Sequence, residues 1–251
     1  MLVERRLASS RERAKGLIMA GSVWVGGRNV TKAGDEFPVD VQVEIKESPL
    51  RRYVSRGGLK LEAAIKQFGL TIQGKVCLDV GASKGGFTDC LLKNGARRVY
   101  ALDVGYGQLD WKLRNDPRVV NIERTNIRYF NGKEIKNSID LATIDVSFIS
   151  LDKVLPKVNE LVGKKGEIVS LIKPQFEAGR EKVGRGGVVK DKEVHQEVIH
   201  KIKVLARNLG LRVKGLIPSP IKGPAGNVEY FIYLKKTVGS RAEVRRKFIE
   251  D

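Results

Sequence analysis

Four charged residues stand at positions where an α/β fold would bring them together. Asp145 and Lys173 each follow an apolar stretch that is predicted to be a buried strand. Lys60 lies near the start of a predicted helix, and Glu229 follows a loop rich in glycine and proline. A neutral lysine near carboxylates is suited to removing a proton from a weakly acidic hydroxyl group, which is general base catalysis. Each of the four, taken alone, would be interpreted as a solvated surface charge.

A glycine-rich turn follows the first strand of this predicted α/β domain. The strand Val76–Val80 is apolar, Gly81 ends it, and Gly85 and Gly86 precede a predicted helix over residues 87–92. Glycines at this place allow the backbone to approach a ligand closely at the carboxyl end of the strand. The strand, turn and helix together are typical of the first unit of a doubly wound α/β sheet.

The glycine turn does not match two common nucleotide-binding patterns. It lacks the Gly-Lys-Ser/Thr ending of a phosphate-binding loop, and Ser83 occupies the second glycine position of the dinucleotide fingerprint. Asp79 lies two residues before the first glycine, where its charge would repel a pyrophosphate but attract a cationic ligand such as a sulfonium-bearing amino acid. Asp103 ends the next predicted strand and is placed to accept hydrogen bonds from ribose hydroxyls.

The two acids together predict S-adenosylmethionine as the ligand, with a ligand-free strand–turn–helix unit as the alternative. Asn126 lies in the loop after the following strand, from which it is expected to contact the adenine. No cluster of His, Cys and carboxylate residues indicates a metal site. The residues predicted to bind the cofactor are Asp79, Gly81, Ala82, Ser83, Gly85, Phe87, Asp103, Asn126 and Asp145.

The composition is strongly basic. Among 251 residues, 47 lysines and arginines stand against 29 aspartates and glutamates, a formal net charge of +18. This excess predicts a polyanionic partner, most simply nucleic acid. A thermophilic surface is the alternative, but thermophiles usually raise glutamate together with lysine. No apolar run approaches the ~18 residues of a membrane span, and no signal peptide is recognised. Cys77 and Cys90 are predicted to be buried thiols. A cytoplasmic location is therefore expected.

The first 46 residues differ in pattern from the rest of the chain. Ser9 and Glu12 have the spacing of a capping box, which predicts a basic helix over residues 11–20. A Gly-Gly turn is predicted to join strands over residues 23–25 and 28–30, and residues 41–45 alternate as another strand. This arrangement resembles the S4 RNA-binding domain, whose first helix normally begins earlier than this chain does.

The resemblance implies that basic residues of this region contact RNA phosphates, with a solvated basic face as the alternative. Phosphate contacts position a protein on RNA without specifying its sequence. Residues 47–56 are predicted to be a linker, and the first glycine pair after it opens the helix that carries Lys60. The residues expected to contact RNA are Arg6, Arg11, Arg13, Lys15 and Arg56.

The remainder of the chain alternates between predicted strands and helices. Residues 178–188, rich in glycine and charge, are predicted to form a mobile loop. His195 and His200 lie on the last helix and are predicted to be surface or packing residues. Residues from 238 onward are predicted to form a short charged helix or a disordered tail. Further strands are predicted over residues 99–103, 119–122, 139–145, 167–174, 211–217 and 228–234, and helices over residues 57–68, 151–162 and 191–208.

Four sequence blocks resemble the TlyA family of FtsJ-type ribose methyltransferases, which carry an S4 domain in front. They are Arg-Gly-Gly-Leu-Lys-Leu-Glu at residues 56–62, Asp-Val-Gly-Ala-Ser-Lys-Gly-Gly-Phe-Thr-Asp at 79–89, Asp-Val-Ser-Phe-Ile-Ser-Leu at 145–151 and Lys-Pro-Gln-Phe-Glu at 173–177. The resemblance implies a Rossmann-like class I S-adenosylmethionine-dependent methyltransferase domain over residues 57–251. A small α+β S4 RNA-binding domain over residues 1–46 would precede it.

The family's catalytic Lys-Asp-Lys-Glu tetrad maps onto Lys60, Asp145, Lys173 and Glu229, with Lys173 as the base. The resemblance therefore implies 2′-O-methylation of a cytidine in ribosomal RNA, acting on the RNA itself or on ribosomal subunits. Lys84 departs from the pattern, since a smaller polar residue is expected there. The short N-terminus resembles the family members that modify only large-subunit rRNA.

Three other functions are compatible with parts of this pattern. The family has also been labelled haemolysin, although no membrane-inserting segment is visible in the sequence. An RNA-binding ribosome-assembly factor without catalysis would retain RNA binding when Lys173 is replaced. A small-molecule O-methyltransferase would turn over without RNA, which the basic charge and the N-terminal module argue against.

Overall fold

A computed structural model describes residues 1–19, 21–30, 32–45, 52–223 and 225–237. The N-terminal part contains one helix, α1 (Arg11–Met19), and a three-stranded antiparallel sheet in the order β2-β1-β3. Its strands are β1 (Val23–Val25), β2 (Arg28–Val30) and β3 (Val43–Ile45). Gly26 and Gly27 join β1 to β2 with positive φ angles, as the predicted Gly-Gly hairpin requires.

Helix α1 begins at Arg11, as predicted, but its capping residue differs from the one expected. Ser10, not Ser9, caps it, because the Ser10 hydroxyl accepts the Arg13 N–H at 3.1 Å. This is the bond from the third helical residue that an N-cap side chain makes. Glu12 is then the second helical residue, so the predicted capping box was wrong. Residue 20, the predicted end of the helix, lies outside the described residues.

The larger part of the chain forms a seven-stranded sheet in the order β6-β5-β4-β7-β8-β10-β9. The first five of these strands are parallel, and β10 runs antiparallel to both β8 and β9. The chain reverses direction across the sheet between β4 and β7, which is where α/β sheets bind ligands. The strands are β4 (Val76–Val80), β5 (Arg98–Leu102), β6 (Val119–Ile122), β7 (Ile139–Ile144), β8 (Val162–Ile172), β9 (Leu211–Pro218) and β10 (Tyr230–Lys236).

Helices cover both faces of this sheet. Along β4, alternate side chains enter different cores, as strand geometry requires: Leu78 packs with α5 and α7, and Cys77 packs with α2 and α3. Both cysteines are fully buried free thiols, as predicted, and burial raises the pKa of each to about 12. The helices are α2 (Gly57–Phe68), α3 (Gly86–Lys93), α4 (Trp111–Arg114), α5 (Leu155–Leu161), α6 (Pro174–Glu177) and α7 (Lys192–Asn208).

Two predicted elements differ from the structure by more than two residues at one end. The helix predicted over residues 151–162 is divided into a 3-10 turn, Leu151–Lys153, and α5. Pro156 lies in the first turn of α5, where its missing N–H leaves no intrahelical bond unmade. Strand β8 begins at Val162 instead of residue 167, because Val162 already pairs with Ile139 of β7 before the register shifts.

Three further segments had predictions from the sequence: the loop, the linker and the C-terminal tail. The loop predicted to be mobile at residues 178–188 contains a 3-10 turn, Arg180–Lys182, and a bridge between Gly184 and Val188. Residues 52–56 of the predicted linker are described, and Tyr53 among them is buried. The rest of that linker and the tail from residue 238 lie outside the described residues. Within the described chain, no helix has the length and apolar character needed to cross a membrane.

Candidate active site

Two lysine–carboxylate pairs form the charged centre of the candidate site. Lys60 Nζ lies 2.6 Å from Glu229 Oε2, and Lys173 Nζ lies 2.6 Å from Asp145 Oδ1. Lys173 also donates a hydrogen bond of 3.0 Å to the Ser147 hydroxyl. The Glu229 side chain is 1% exposed and that of Asp145 is 23% exposed. The carboxylate of the first pair is therefore more deeply buried than that of the second, while the two lysines are equally exposed at 10%.

The fold brings these four residues together from distant parts of the chain. Asp145 directly follows β7, and its N–H donates to the Val80 carbonyl at the end of β4. Lys173 directly follows β8, so both residues lie at the carboxyl edge of the parallel strands. Lys60 lies in the first turn of α2, and Glu229 immediately precedes β10.

The four side chains share one cavity of about 290 Å³ with the glycine turn. Five predicted cofactor ligands contribute to its lining, and so does Arg56, which was predicted to contact RNA. Ser55, Gly57, Gly86 and Ser147 line it as well, although they were not among the predicted site residues. The lining residues are Ser55, Arg56, Gly57, Lys60, Gly81, Ala82, Ser83, Gly86, Phe87, Asp145, Ser147, Lys173 and Glu229.

Two glycines of the glycine turn have backbone conformations that other residues would not adopt easily. Gly81 has a φ of +84°, and a Cβ built there would lie 2.5 Å from the Asp145 carbonyl oxygen. Gly85 has a φ of +91°, and a Cβ there would lie 2.3 Å from the Leu113 side chain. Both glycines are thus required by conformation and by space. Phe87 begins the buried side of α3 and packs against Phe231, with ring centroids 6.1 Å apart.

Asp79 does not line the cavity, although it was predicted to attract the cofactor's charge. It is fully buried below the glycine turn, where its two oxygens accept hydrogen bonds from Thr88 Oγ1 at 2.7 Å and Thr143 Oγ1 at 3.0 Å. Burial raises the pKa of Asp79 to about 7. The structure thus shows a carboxyl group that connects β4, β7 and α3 beneath the turn.

Asp103 and Asn126 also lie outside the cavity lining. Each Asp103 oxygen accepts one backbone N–H, from Ser83 at 2.7 Å and from Gly105 at 2.7 Å. Asp103 lies directly after β5, which ends one residue earlier than predicted, and its side chain is bonded to the glycine turn. Asn126 is exposed, and its side-chain oxygen accepts the Arg128 N–H to cap the 3-10 turn Ile127–Tyr129.

The segment after Asp145 has an unusual conformation. Phe148 has a φ of +61° and is 92% exposed, and its ring centroid lies 5.0 Å from that of Phe176. Glu177 is buried and anchors the end of this segment by accepting the Leu151 N–H at 2.7 Å and the Ser150 hydroxyl. Burial raises the pKa of Glu177. The segment that bears Asp145 is thus attached to α6, which follows Lys173.

The four basic residues predicted in the N-terminal part are all exposed. Arg11, Arg13 and Lys15 lie on α1, and Arg6 precedes it.

Within the described residues, no three His, Cys, Asp or Glu side chains are grouped in a way that would hold a metal ion. Ser147 had a signal in the sequence, since it lies two residues after Asp145 within the quoted block at residues 145–151.

Comparisons with known proteins match both parts of the chain. The FtsJ-like methyltransferase family model matches residues 53–236, and the S4 domain model matches residues 1–43. YqxC of Bacillus subtilis is 49% identical over 93% of this chain and 83% of that protein. A solved structure from Streptococcus thermophilus is 41% identical, covers 97% of this chain and 93% of its own, and gives a TM-score of 0.76.

Two further relatives carry functional names. TlyA of Mycobacterium tuberculosis, a 16S/23S rRNA (cytidine-2′-O)-methyltransferase, is 45% identical over 93% of this chain and 87% of that protein. Hemolysin A of Brachyspira hyodysenteriae is 42% identical over 89% of this chain and 93% of that protein. The chain therefore belongs to the FtsJ-like methyltransferases with an N-terminal S4 domain, and within them to the TlyA family.

Proposed function

We propose that this protein transfers a methyl group from S-adenosylmethionine to the ribose 2′-oxygen of a cytidine in ribosomal RNA. The observation that carries the proposal is the meeting of the Lys60–Glu229 and Lys173–Asp145 pairs in one cavity beside the glycine turn. The name of the TlyA relative supports cytidine and rRNA as the acceptor. Two buried free thiols fit a reducing cytoplasm as its location.

The residues around the cavity fit S-adenosylmethionine. Each Asp103 oxygen uses one lone pair on a backbone N–H and retains another that can accept a hydrogen bond from a ribose hydroxyl. The glycine turn lies between Asp103 and the cavity, so Gly81, Ala82 and Ser83 can hold the amino-acid part. When bound, the cofactor supplies a methyl group on a positively charged sulfur. Asp79 would support the turn from below, and the adenine contact of Asn126 stays a prediction.

Lys173 is the proposed general base. Its Nζ is held by Asp145 and Ser147. In its neutral form it would take the proton of the acceptor hydroxyl as that oxygen bonds to the methyl carbon, and the methyl–sulfur bond would break to leave a neutral thioether. Positioned base catalysis of this kind contributes about 10²–10⁴-fold to a rate. Lys60 is fixed by Glu229 and has further N–H donors that can hold the acceptor oxygen in place.

RNA is the proposed macromolecular partner, either free ribosomal RNA or a ribosomal subunit. Residues 1–46 are proposed as the RNA-binding domain, residues 47–56 as the linker and residues 57–251 as the methyltransferase domain. The exposed side chains of Arg6, Arg11, Arg13 and Lys15 are suited to phosphate contacts. Arg56 lines the cavity and would contact the RNA near its acceptor ribose.

Methyl transfer from labelled S-adenosylmethionine to unmodified ribosomal subunits and to free rRNA tests this proposal. Lys173→Arg is the informative variant, because arginine keeps the positive charge beside Asp145 but is not deprotonated in proteins. We expect wild type to label a cytidine ribose and Lys173→Arg to lose about 10²–10⁴-fold of that rate. Cofactor affinity, measured by calorimetry, should be unchanged in the variant.

Lys66→Arg is the matched control, because Lys66 lies on the exposed side of the last turn of α2 and does not line the cavity. It should transfer methyl groups at the wild-type rate. Absence of label on every rRNA substrate, with cofactor binding intact, would rule out the proposed acceptor. Retained RNA binding without any transfer would instead indicate an assembly factor, and RNA-independent turnover would indicate a small-molecule methyltransferase. Lysis of erythrocytes by the purified protein would support the haemolysin name.

A further inference from the structure

Asn227 connects the turn that carries Glu229 to a segment predicted from sequence to be mobile. Its side chain is 2% exposed. Its Oδ1 accepts the Val189 N–H at 3.0 Å, and its Nδ2 donates to the Gly187 carbonyl at 2.8 Å. The Asn227 carbonyl accepts the Gly223 N–H at 2.9 Å, which closes the turn before Glu229. A buried amide satisfied in this way fixes residues 187–189 against that turn.

His195 holds the same segment from the side of α7. It is buried, and its Nε2 lies 2.9 Å from the Val189 carbonyl oxygen. A carbonyl only accepts hydrogen bonds, so Nε2 carries the proton in this contact. Its Nδ1 lies 2.8 Å from the hydroxyl of Tyr230, the residue after Glu229. Val189 is therefore held through its N–H by Asn227, two residues before Glu229, and through its carbonyl by His195, which contacts Tyr230.

The segment held in this way is a short hairpin with a basic tip, here called the basic hairpin (residues 184–190). The Gly184 N–H bonds to the Val188 carbonyl at 3.1 Å, and the Gly187 N–H bonds to the Gly184 carbonyl at 3.0 Å. This pattern places Arg185 at the first central position of the turn. Arg185 and Lys190 are exposed, and within the described residues neither side chain forms an ion pair or a hydrogen bond.

A cation on a fixed base suits recognition of an anion better than a mobile loop does, because less conformational entropy is lost on binding. The base of this hairpin is bonded to Asn227, two residues from Glu229, and Glu229 lines the cavity. The base of the hairpin therefore lies beside the turn that leads to Glu229, and the exposed Arg185 and Lys190 add positive charge to this part of the surface. RNA has phosphates on both sides of any nucleotide whose ribose is modified.

We propose that the basic hairpin is an RNA-docking arm of the active site, in which Arg185 binds a backbone phosphate near the modified nucleotide and Asn227 positions the arm. The inference rests on the proposed RNA substrate and deepens it. Arg185 is a binding residue, and Asn227 acts only through the hairpin. The role differs from that of α1, because this contact adjoins the residues that line the cavity.

Equilibrium binding of a labelled rRNA fragment, read by fluorescence anisotropy, tests the inference independently of methyl transfer. Loss of one phosphate contact should lower RNA affinity about 3–10-fold and flatten the salt dependence by roughly one released counterion. We expect this result for Arg185→Gln, with S-adenosylmethionine affinity and kcat unchanged. Arg97→Gln is the matched control, because exposed Arg97 immediately precedes β5 at the sheet edge opposite the cavity. At a salt concentration that screens long-range attraction, it should bind RNA as wild type does.

Asn227→Asp tests the positioning role with little change in shape. An aspartate can still accept the Val189 N–H, but it cannot donate to Gly187 and its charge opposes that carbonyl. We expect a loss of RNA affinity similar to that of Arg185→Gln. The double variant should be no weaker than the weaker single variant, because both changes remove the same contact. A rise in KM for RNA at constant kcat would give the same support.

Two results would overturn the inference. One is an RNA affinity of Arg185→Gln equal to that of wild type, a measurement that holds even if Asn227→Asp fails to fold. The other is a double variant whose loss is the product of the two single losses. Wild type that binds RNA but transfers no methyl group would contradict the proposed function alone, and the binding comparison would still decide the role of the hairpin.

Discussion

The two lysine–carboxylate pairs differ in how far each is removed from water. Glu229 is almost fully buried with Lys60, and removal of one member of a buried pair costs about 3–5 kcal/mol because it leaves an uncompensated charge. Asp145 keeps about a quarter of its surface exposed, so loss of its lysine is tolerated better. Variants of Lys173 therefore report on chemistry, whereas variants of Lys60 and Glu229 also report on folding.

Asp79 makes the free energy of unfolding depend on pH. Burial raises its folded-state pKa to about 7, whereas an unfolded aspartate titrates near 4. The folded state therefore holds a proton that the unfolded state has lost between these values. Its contribution to stability is fully present below about pH 4 and is lost as pH rises through about 7. We expect wild type to lose on the order of a few kcal/mol of this contribution between pH 5 and pH 8.

Asp79→Asn removes the titration, and the two threonine hydroxyls can reorient to serve an amide. Urea unfolding of both proteins at pH 5 and pH 8 measures the difference. The stability gap between variant and wild type should shift in favour of the variant at pH 8. A gap that is the same at both pH values would mean that Asp79 is ionised throughout, stabilised by its hydroxyl partners.

The element scale shows where sequence patterns are informative and where they fail. The apolar run of Val76–Val80 and the glycine after it predicted β4 and its turn. A short, nearly continuous apolar run is typical of a parallel strand that is buried on both faces. The same holds for the long amphipathic helix α7, which begins one residue after its Asp191 cap. Such elements are determined by local periodicity.

Contacts between distant segments left no comparable signal. Residues 178–188 were predicted to be mobile because glycine and charge are common in loops. In the structure Asn227 bonds to Gly187, and Asn227 and His195 both bond to the adjacent Val189, from distant parts of the chain. The gathering of Lys60, Asp145, Lys173 and Glu229 was predicted from strand ends and family resemblance together. The burial of Asp79 was missed. In a strand that is buried on both faces, the alternation of side chains does not show whether a given residue faces a ligand cavity or the protein core.

The glycine turn gives a prediction about how elements fit together. A Cβ at Gly81 would overlap the backbone carbonyl of Asp145, which cannot move aside as a side chain can. Gly81→Ala should therefore displace the Asp145 segment and abolish most methyl transfer. Cofactor affinity should fall together with kcat, because the turn and Asp145 both line the cavity. Calorimetry and the labelled-methyl assay measure the two effects.

Gly74→Ala is the matched control for this change. Gly74 has a φ of +74°, close to that of Gly81, but nothing lies within 4 Å of its Cβ position. Alanine there carries the backbone strain, which costs about 1 kcal/mol, without the overlap. Its activity should stay near wild type with slightly lower thermal stability. Equal loss of activity in both variants would show that strain, and not the contact with Asp145, governs the site.

On the scale of the whole molecule, net charge sets how the protein meets RNA. Residues 1–46 contribute little to the excess of 18 positive charges, since eight lysines and arginines there stand against six aspartates and glutamates. A long-range attraction for polyanions is therefore expected mainly from the rest of the chain. Specific docking instead requires cations at defined places. The four exposed basic residues at and before α1 are one candidate set, and the basic hairpin is another. Salt dependence separates these contributions, because each phosphate contact releases its own counterions.

The double variant Arg11→Gln/Arg13→Gln tests the contribution of α1. If both residues contact phosphates, the slope of log affinity against log salt should become shallower by about 0.7–0.9 for each lost contact. The control pair Arg97→Gln/Arg207→Gln removes the same charge from exposed positions at the start of β5 and on α7. It should lower affinity only at low salt, where long-range attraction is poorly screened. Equal slopes for the two double variants would mean that net charge alone drives RNA binding and that α1 is a solvated basic face.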